Sequence, residues 1–184
     1  MWSAEPNQWV EAELADLAPA DAIDLAAGEG RNAVWLAQRG WNVTAVDFSP
    51  VALEKTHQRA EANHVAVRTQ QADLREWSPA PASVDLALIV YRQLPRHQEA
   101  SMLGAAARAV RPAGTWFFVA HDLSNLHHGY GGPQDPAVLP DVDLVVNALP
   151  GLDIQRAEVV IRLVDTDDGP RAARDTLVVA SRRA

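Results

Sequence analysis

An α/β fold with a mostly parallel sheet is predicted by three features of the sequence. Residues 21–26 read as a strand that runs into the loop G-E-G at 28–30, a helical stretch and a second strand closed by Asp47. Strand and helix patterns then alternate up to residue 121, the order that builds βαβ units. V-D-L-A-L-I-V at 84–90 is apolar almost throughout, as a strand covered on both faces must be.

At 184 residues, 48% of them apolar, the chain is long enough for one domain with a full core, so residues 1–184 are read as a single domain. The net charge of -8 and a pI near 5.1 speak against nucleic acid and anionic membranes as partners. Zero cysteines excludes disulfides, thiolate metal sites and a cysteine nucleophile. The N-terminus carries neither a basic segment nor an apolar run of the signal-peptide kind, and no stretch is long enough to span a bilayer. A soluble, cytoplasmic protein is the expectation, as monomer or homodimer.

Along the chain, residues 6–17 predict a helix begun by Pro6 and ended by Pro19, with Val10, Leu14 and Leu17 on one face. Trp2 and Trp9 are read as cover for a core edge, and residues 1–20 as an N-terminal helix or lid. Gly28 and Gly30 make the turn after the first strand, where a missing Cβ lets a ligand touch backbone. Residues 31–39 follow a helical period, with Ala33, Leu36 and Ala37 inward and Gly40 as the stop. Ser49 and Pro50 cap the next helix, expected to reach Ala62 with Asn63 as a left-handed cap. A third strand begins at Val65 to Val67 and ends at 71–74, followed by a turn-rich connector at 76–83.

Residues 96–110 predict a helix that buries Met102, Leu103, Ala106 and Val110. R-P-A-G at 111–114 is read as the break before a fifth strand that ends at His121 and Asp122. The long segment 122–136, with little periodicity, is expected to be a substrate loop. Residues 141–149 predict a short helix, and 154–164 with 175–181 a terminal antiparallel pair around T-D-D-G-P.

G-E-G-R-N-A at 28–33 satisfies the dinucleotide pattern G-x-G-x-x-[GA], and Asp47 stands where a carboxylate accepts hydrogen bonds from a ribose diol. A nicotinamide-dependent reductase is therefore one reading. Against it stand Asp24 inside the first strand, Glu29 in the loop where a pyrophosphate would feel its charge, and the little chain left for a substrate domain. A positively charged nucleoside suits these residues better.

In these motifs the chain resembles the class I S-adenosylmethionine-dependent methyltransferases over nearly its whole length. D-L-A-A-G-E-G stands for the acid-x-G-x-G-x-G motif, with Ala26 in place of the first glycine and expected at negative φ. R-P-A-G stands for [KR]-P-G-G, with Ala113 substituted. G-E-G-R-N-A-V-W-L-A with G-W-x-V-T-A-V-D-F-S is similar to the small bacterial tellurite-resistance and thiopurine methyltransferase-like group, which act on small molecules or on chalcogen and thiol acceptors.

The resemblance implies a Rossmann-like three-layer sandwich whose seven-stranded sheet has the order 3-2-1-4-5-7-6, strand 7 antiparallel. It implies S-adenosylmethionine as cofactor and S-adenosylhomocysteine as product. The cofactor would rest on Asp24, Ala26, Gly28, Gly30 and Asn32, on Asp47 and Phe48, on Asp73 and Leu74, and on Val90. Relatives often carry a segment ahead of W-S-A-E-P-N, so a shortened lid is expected. A non-catalytic S-adenosylmethionine-binding protein is the other alternative.

Methyl transfer from a sulfonium is an in-line displacement that mostly requires positioning. The acceptor is expected to be a small thiol, chalcogen anion, phenol or amine. A soft anion needs no base, whereas a phenol or amine needs a proton taken, and His121 is the candidate, with Asp122 to orient it. His121 alternatively only hydrogen-bonds backbone at its strand end. Tyr91, placed with His121 among the catalytic residues, and Arg92 and Tyr130 are placed to contact an acidic or aromatic substrate. His121, His127 and His128 do not make a convincing metal site, lacking a carboxylate at ligand spacing. His57, His64 and His97 are read as solvent-facing, and D-T-D-D at 165–168 as a solvated turn.

Overall fold

A computed structural model describes residues 5–92 and 94–184. The chain runs α1 (Gln8–Leu14), β1 (Asp21–Leu25), α2 (Arg31–Gln38), β2 (Asn42–Asp47), α3 (Pro50–Ala62), β3 (Val67–Gln71) and β4 (Val84–Val90). It continues through α4 (Arg96–Ala109), β5 (Val110–His121), α5 (Asn125–His128), a 3₁₀ turn (Pro136–Val138), α6 (Val142–Asn147), β6 (Leu152–Val164) and β7 (Arg171–Arg182). The strands form one seven-stranded sheet in the order β3-β2-β1-β4-β5-β7-β6. β7 runs antiparallel to both neighbours and every other pairing is parallel, as the family resemblance implies.

Strand alternation divides the core into two layers. Ile23, Leu25, Ala87, Ile89, Trp116 and Phe118 face one side and pack with Met102 and Leu103 of α4 and Val145 of α6. Ala22, Val43, Leu86, Leu88 and Phe117 face the other, against Val10 and Leu14 of α1 and Ala33 and Leu36 of α2. That two-sided burial is why 84–90 is apolar at every position except Asp85, which pairs with Arg111. α1 is tied down at both ends. The Asn7 N–H donates to Asn32 Oδ1 at 2.9 Å, and Glu13 pairs with Arg156 of β6. Trp9 packs on the same layer, and Trp2 lies outside the described residues. Among the described residues no helix is long and apolar enough to cross a membrane.

Several boundaries differ from the sequence reading. α1 starts at Gln8 because the Asn7 side chain, not Pro6, caps it by accepting from Trp9 N. His64 (φ 56°), not Asn63 (φ -100°), takes the left-handed position after α3. R-P-A-G is no break: α4 passes directly into β5 at Val110, and the extra residues are absorbed as a bulge between Val84↔Val110 and Leu86↔Thr115. Segment 122–136 is partly helical, with α5 inside it.

Ala26 has φ 58° and Ala113 φ 64°, so both alanines that replace glycines of the resembled motifs sit in the left-handed region. The expected negative φ at Ala26 is corrected. Its N-terminal neighbour closes β1 and the loop must turn at once, because Ala27 N is held by Val46 O at 3.0 Å. A Cβ in that region costs about 1–2 kcal/mol, partly offset by the lower unfolded-state entropy of alanine. Ala26→Gly and Ala113→Gly are each expected to raise the urea-unfolding free energy by ~0.5–1 kcal/mol. Gly30→Ala should lower it, since Gly30 is at φ 73° and a Cβ there would overlap the Thr56 side chain. Equal or lower stability of both glycine variants would show that neither alanine is strained.

Candidate functional site

The C-terminal ends of β1, β2 and β4 open onto a cavity of about 450 Å³. In a parallel sheet this edge is where chains leave strands in opposite directions and leave room between them. The loop after β1 forms its floor and is held from two sides. Gly28 N donates to Asp47 Oδ2 at 2.9 Å, and Thr56 Oγ1 of α3 donates to Gly28 O at 3.0 Å. Asp47 Oδ1 also accepts Ser49 N at 2.9 Å, so one carboxylate ties the loop to the start of α3. With about four lone-pair sites and two hydrogen bonds accepted here, it retains acceptor capacity. Gly28 (φ 57°) has open space where a Cβ would stand, and it lines the cavity. Gly30 does not line it. Its missing Cβ serves the contact with Thr56, a packing role the sequence did not reveal.

Ala26, Asn32, Asp47, Phe48, Asp73, Leu74 and Val90 also line the cavity, as placed from the sequence. Phe48 is 72% exposed and offers an apolar face beside it. Asp73 carries a clasp that the sequence did not suggest. Arg75 Nε meets both carboxylate oxygens at 2.9 Å, and hydrogen bonds from the Arg75 side chain and backbone hold the Asp73 carboxyl down at about 2. Asp24 is fully buried below the loop and is not on the cavity wall. Burial raises its carboxyl to about 7, against the nearby Arg31 charge and a hydrogen bond from the Ala33 backbone. Its Oδ2 has no hydrogen-bond partner among the described residues.

The other wall is made by the residues after β4. Tyr91 has φ 51°, held there by its N–H donating to Val119 O at 2.8 Å. This turns its ring back onto the sheet edge, where it stacks on His121 at 4.8 Å. Tyr91 Oη donates to Asp175 Oδ2 at 2.6 Å, while Arg162 Nε donates to both, at 2.8 and 3.0 Å. Burial and the Asp175 carboxylate push the Tyr91 phenol far above its ordinary range. Burial works to raise Asp175 as well, but hydrogen bonds from His121 and Tyr91 and the Arg162 charge outweigh it and hold that carboxyl low.

His121 lies beside this network rather than on the cavity wall. Its Nδ1 is 3.1 Å from Asp175 Oδ1, and Gly132 packs against its ring. Asp122 does not orient it, which corrects the sequence expectation. Asp122 accepts Ser124 N at 2.8 Å and Thr176 Oγ1 at 2.6 Å, and it lines a separate open depression with His127 and His128. Tyr130 is also away from the cavity, exposed beneath the Arg171 guanidinium. Arg92 does line the cavity and is paired with Glu99 of α4.

Asp175 was missed because the β5–β7 register that sets it opposite His121 is invisible in the sequence. Glu99 had a signal: it shares the inward face of α4 with Met102, Leu103 and Ala106, where a charge is out of place. Arg31, at the first turn of α2, adjoins the loop and lines the cavity.

Because the folded Asp24 carboxyl titrates above its unfolded value, its contribution to stability is complete below about pH 4. It declines as pH rises to about 7 and is flat above. Asp24→Asn should remove that slope. In chemical denaturation its stability relative to the parent is expected to improve between pH 4 and 7 and then level off. A difference independent of pH would show that Asp24 stays charged throughout.

A family profile described as methyltransferase domain matches residues 22–114. The chain is 23% identical over 163 residues to the putative methyltransferase YqeM of Bacillus subtilis, covering 76% of this chain and 65% of that protein. Across the curated relatives it matches, the chain spans from about a third to about two thirds of their length. TehB from Haemophilus influenzae shares the fold with a TM-score of 0.79 at 14% identity, over 97% of this chain and 63% of that one. So does a structure from echinomycin biosynthesis that concerns conversion of a disulfide bond into a thioacetal group. There the TM-score is 0.77 at 18% identity, over 97% of this chain and 82% of the other.

Proposed function

This chain belongs to the methyltransferase domain family, and from that premise we propose that it moves a methyl group from S-adenosylmethionine to a small-molecule acceptor. The observation that carries the reading is the joint between Gly28 and Asp47. Backbone with open space above it and a carboxylate with spare lone pairs meet at the end of β2, as a ribose diol requires. Asp24, assigned to the cofactor from the sequence, lies below the loop and off the cavity wall, so the reading does not rest on it. S-adenosylmethionine, bound there, supplies an electrophilic methyl group on a sulfonium.

The remaining roles follow from position. Asp47 accepts from the ribose hydroxyls, with Ala26 and Gly28 against the sugar and Phe48 and Leu74 enclosing the base. Asp73, already committed to Arg75, contributes mainly through its backbone. Val90 and Tyr91 close the amino-acid end, and Asn32 fixes α1 over the loop. Gly30 acts only by letting the loop pack on α3.

Proton transfer favours one acceptor class. Two carboxylates on the wall are paired, Glu29 with Lys55 at 2.6 Å and Asp73 with Arg75, and the spare lone pairs of Asp47 are given by this reading to the ribose. Tyr91 is held protonated by burial and by Asp175. A soft acceptor that arrives as an anion, a thiolate or chalcogen anion, needs none of them, and phenols and amines rank below it. On this reading His121 is a positioning residue that fixes Tyr91 through stacking and Asp175. His121→Gln is then expected to leave the shape of the pH–rate profile unchanged, and loss of its acidic limb would return His121 to the role of base.

Calorimetric titration tests the whole. S-adenosylhomocysteine should bind in the micromolar range and NAD⁺ should not. Asp47→Asn should weaken that binding by about 1.5 kcal/mol, roughly tenfold, since a charged acceptor is lost. Binding of NAD⁺ alone would favour a reductase and overturn the proposal.

A further inference from the structure

The Arg92–Glu99 pair has no explanation in stability. Arg92 is 6% exposed and Glu99 is 0% exposed, with Nη2 2.5 Å from Oε1. Beyond that ion contact, none of the three guanidinium nitrogens and neither carboxylate oxygen makes a well-aligned hydrogen bond to the described residues. Burying two charges costs several kcal/mol each, and apolar replacements of such pairs are often more stable. Unsatisfied donors add to that penalty. Burial accordingly draws the Arg92 pKa down and the Glu99 pKa up.

Arg92 nevertheless lines the cavity, where it follows Tyr91 at the end of β4. Glu99 approaches it from the inward face of α4. Nearby Arg96 is not available for the same task, being bound to Asp141 and to Leu139 O at 2.7 Å each. What remains is a fixed, planar guanidinium fork at a residue that lines the cavity: Nη2 rests against Glu99, and the buried Nε and Nη1 have no hydrogen-bond partner among the described residues. A carboxylate matches that fork in shape and charge. The acidic groups on the wall, Asp47, Asp73 and Glu29, belong to β2, the segment after β3 and the glycine loop, so none shares the β4 end with Arg92.

Resting on the methyltransferase reading, we propose that Arg92, braced by Glu99, is the specificity residue of the acceptor subsite, and that the acceptor carries a carboxylate apart from its reacting atom. Arg92 receives that carboxylate through paired hydrogen bonds while the reacting atom faces the cofactor side. Glu99 keeps the guanidinium charged and in place without taking part in the contact.

The test uses benzoate and benzamide, two probes of one shape and different charge, titrated into the full chain saturated with S-adenosylhomocysteine. Benzoate is expected to bind at least ~10-fold more tightly than benzamide, the span of a charge-assisted hydrogen-bond pair. Arg92→Met alone strands Glu99 and is expected to destabilise the fold. The double variant Arg92→Met/Glu99→Leu removes both charges; it should keep its S-adenosylhomocysteine affinity within about twofold and lose the benzoate preference. Arg92→Lys should retain part of the preference, because charge remains and the fork is gone. Equal binding of the two probes, or binding of neither, overturns the proposal. So does a double variant that loses S-adenosylhomocysteine instead, since Arg92 would then hold the cofactor's own carboxylate. Failure of the parent chain to bind S-adenosylhomocysteine at all would be a failure of the methyltransferase reading, seen before any probe is added.

Discussion

The Asp47 carboxylate is the joint on which the ligand-facing half of the molecule depends. It ends β2, accepts the Gly28 amide from the loop after β1, and accepts the Ser49 amide at the start of α3. The glycine loop, nineteen residues away in the chain, is thereby set against the end of β2 and the start of α3 by a single buried carboxylate. Backbone N–H groups are suitable partners for it: charge-assisted, short, and with no rotamer freedom to lose. α3 then returns the constraint, because Thr56 holds Gly28 O from the other side. The loop is thus held from both sides.

The second organising element is the reversed strand. β7 carries Asp175 against His121 at the ligand edge of β5, and Tyr91 leans onto the pair from the end of β4. Arg162 of β6 adds the balancing charge. His121, Arg162 and Asp175 from three strands, with Tyr91 just after a fourth, thus form one part-buried polar network centred on the buried Asp175. Its consequence for function is indirect. The network fixes a strained tyrosine, left-handed at φ 51°, which forms part of the cavity wall. Burial and Asp175 favour the protonated phenol of Tyr91 there.

Both signs of charge line the cavity. The β1–β3 side carries Asp47, Asp73 and Glu29 together with Arg31 of α2 and Arg59 of α3, and Asp24 lies below with one oxygen unpartnered among the described residues. The β4 side carries Arg92 on Glu99. On the proposed function, the cofactor meets the first side and an anionic acceptor the second. Left-handed Ala26 sits on the first side, where the loop keeps its path despite the Cβ it carries.

Local patterns in the sequence determined the order and kind of nearly every element, because hydrophobic period, caps and turn residues are properties of neighbours in the chain. The G-E-G loop, the acid closing β2, the nearly all-apolar 84–90 run and the terminal β pair were legible for that reason. So were the cavity residues adjacent to those motifs, from Ala26 to Val90. The strand order was anticipated only through resemblance to a family. Tertiary structure alone decided the rest. It gave His121 to Asp175 rather than Asp122, removed Tyr130 from the site, made Gly30 a packing position, and put Ala26 and Ala113 at positive φ. It also brought Glu99 to Arg92. Each of these depends on strand register or on which helix face meets which strand end. A residue's partner across a sheet is set by the whole alignment of two strands, and a cross-strand charge leaves no local trace in the chain that carries it.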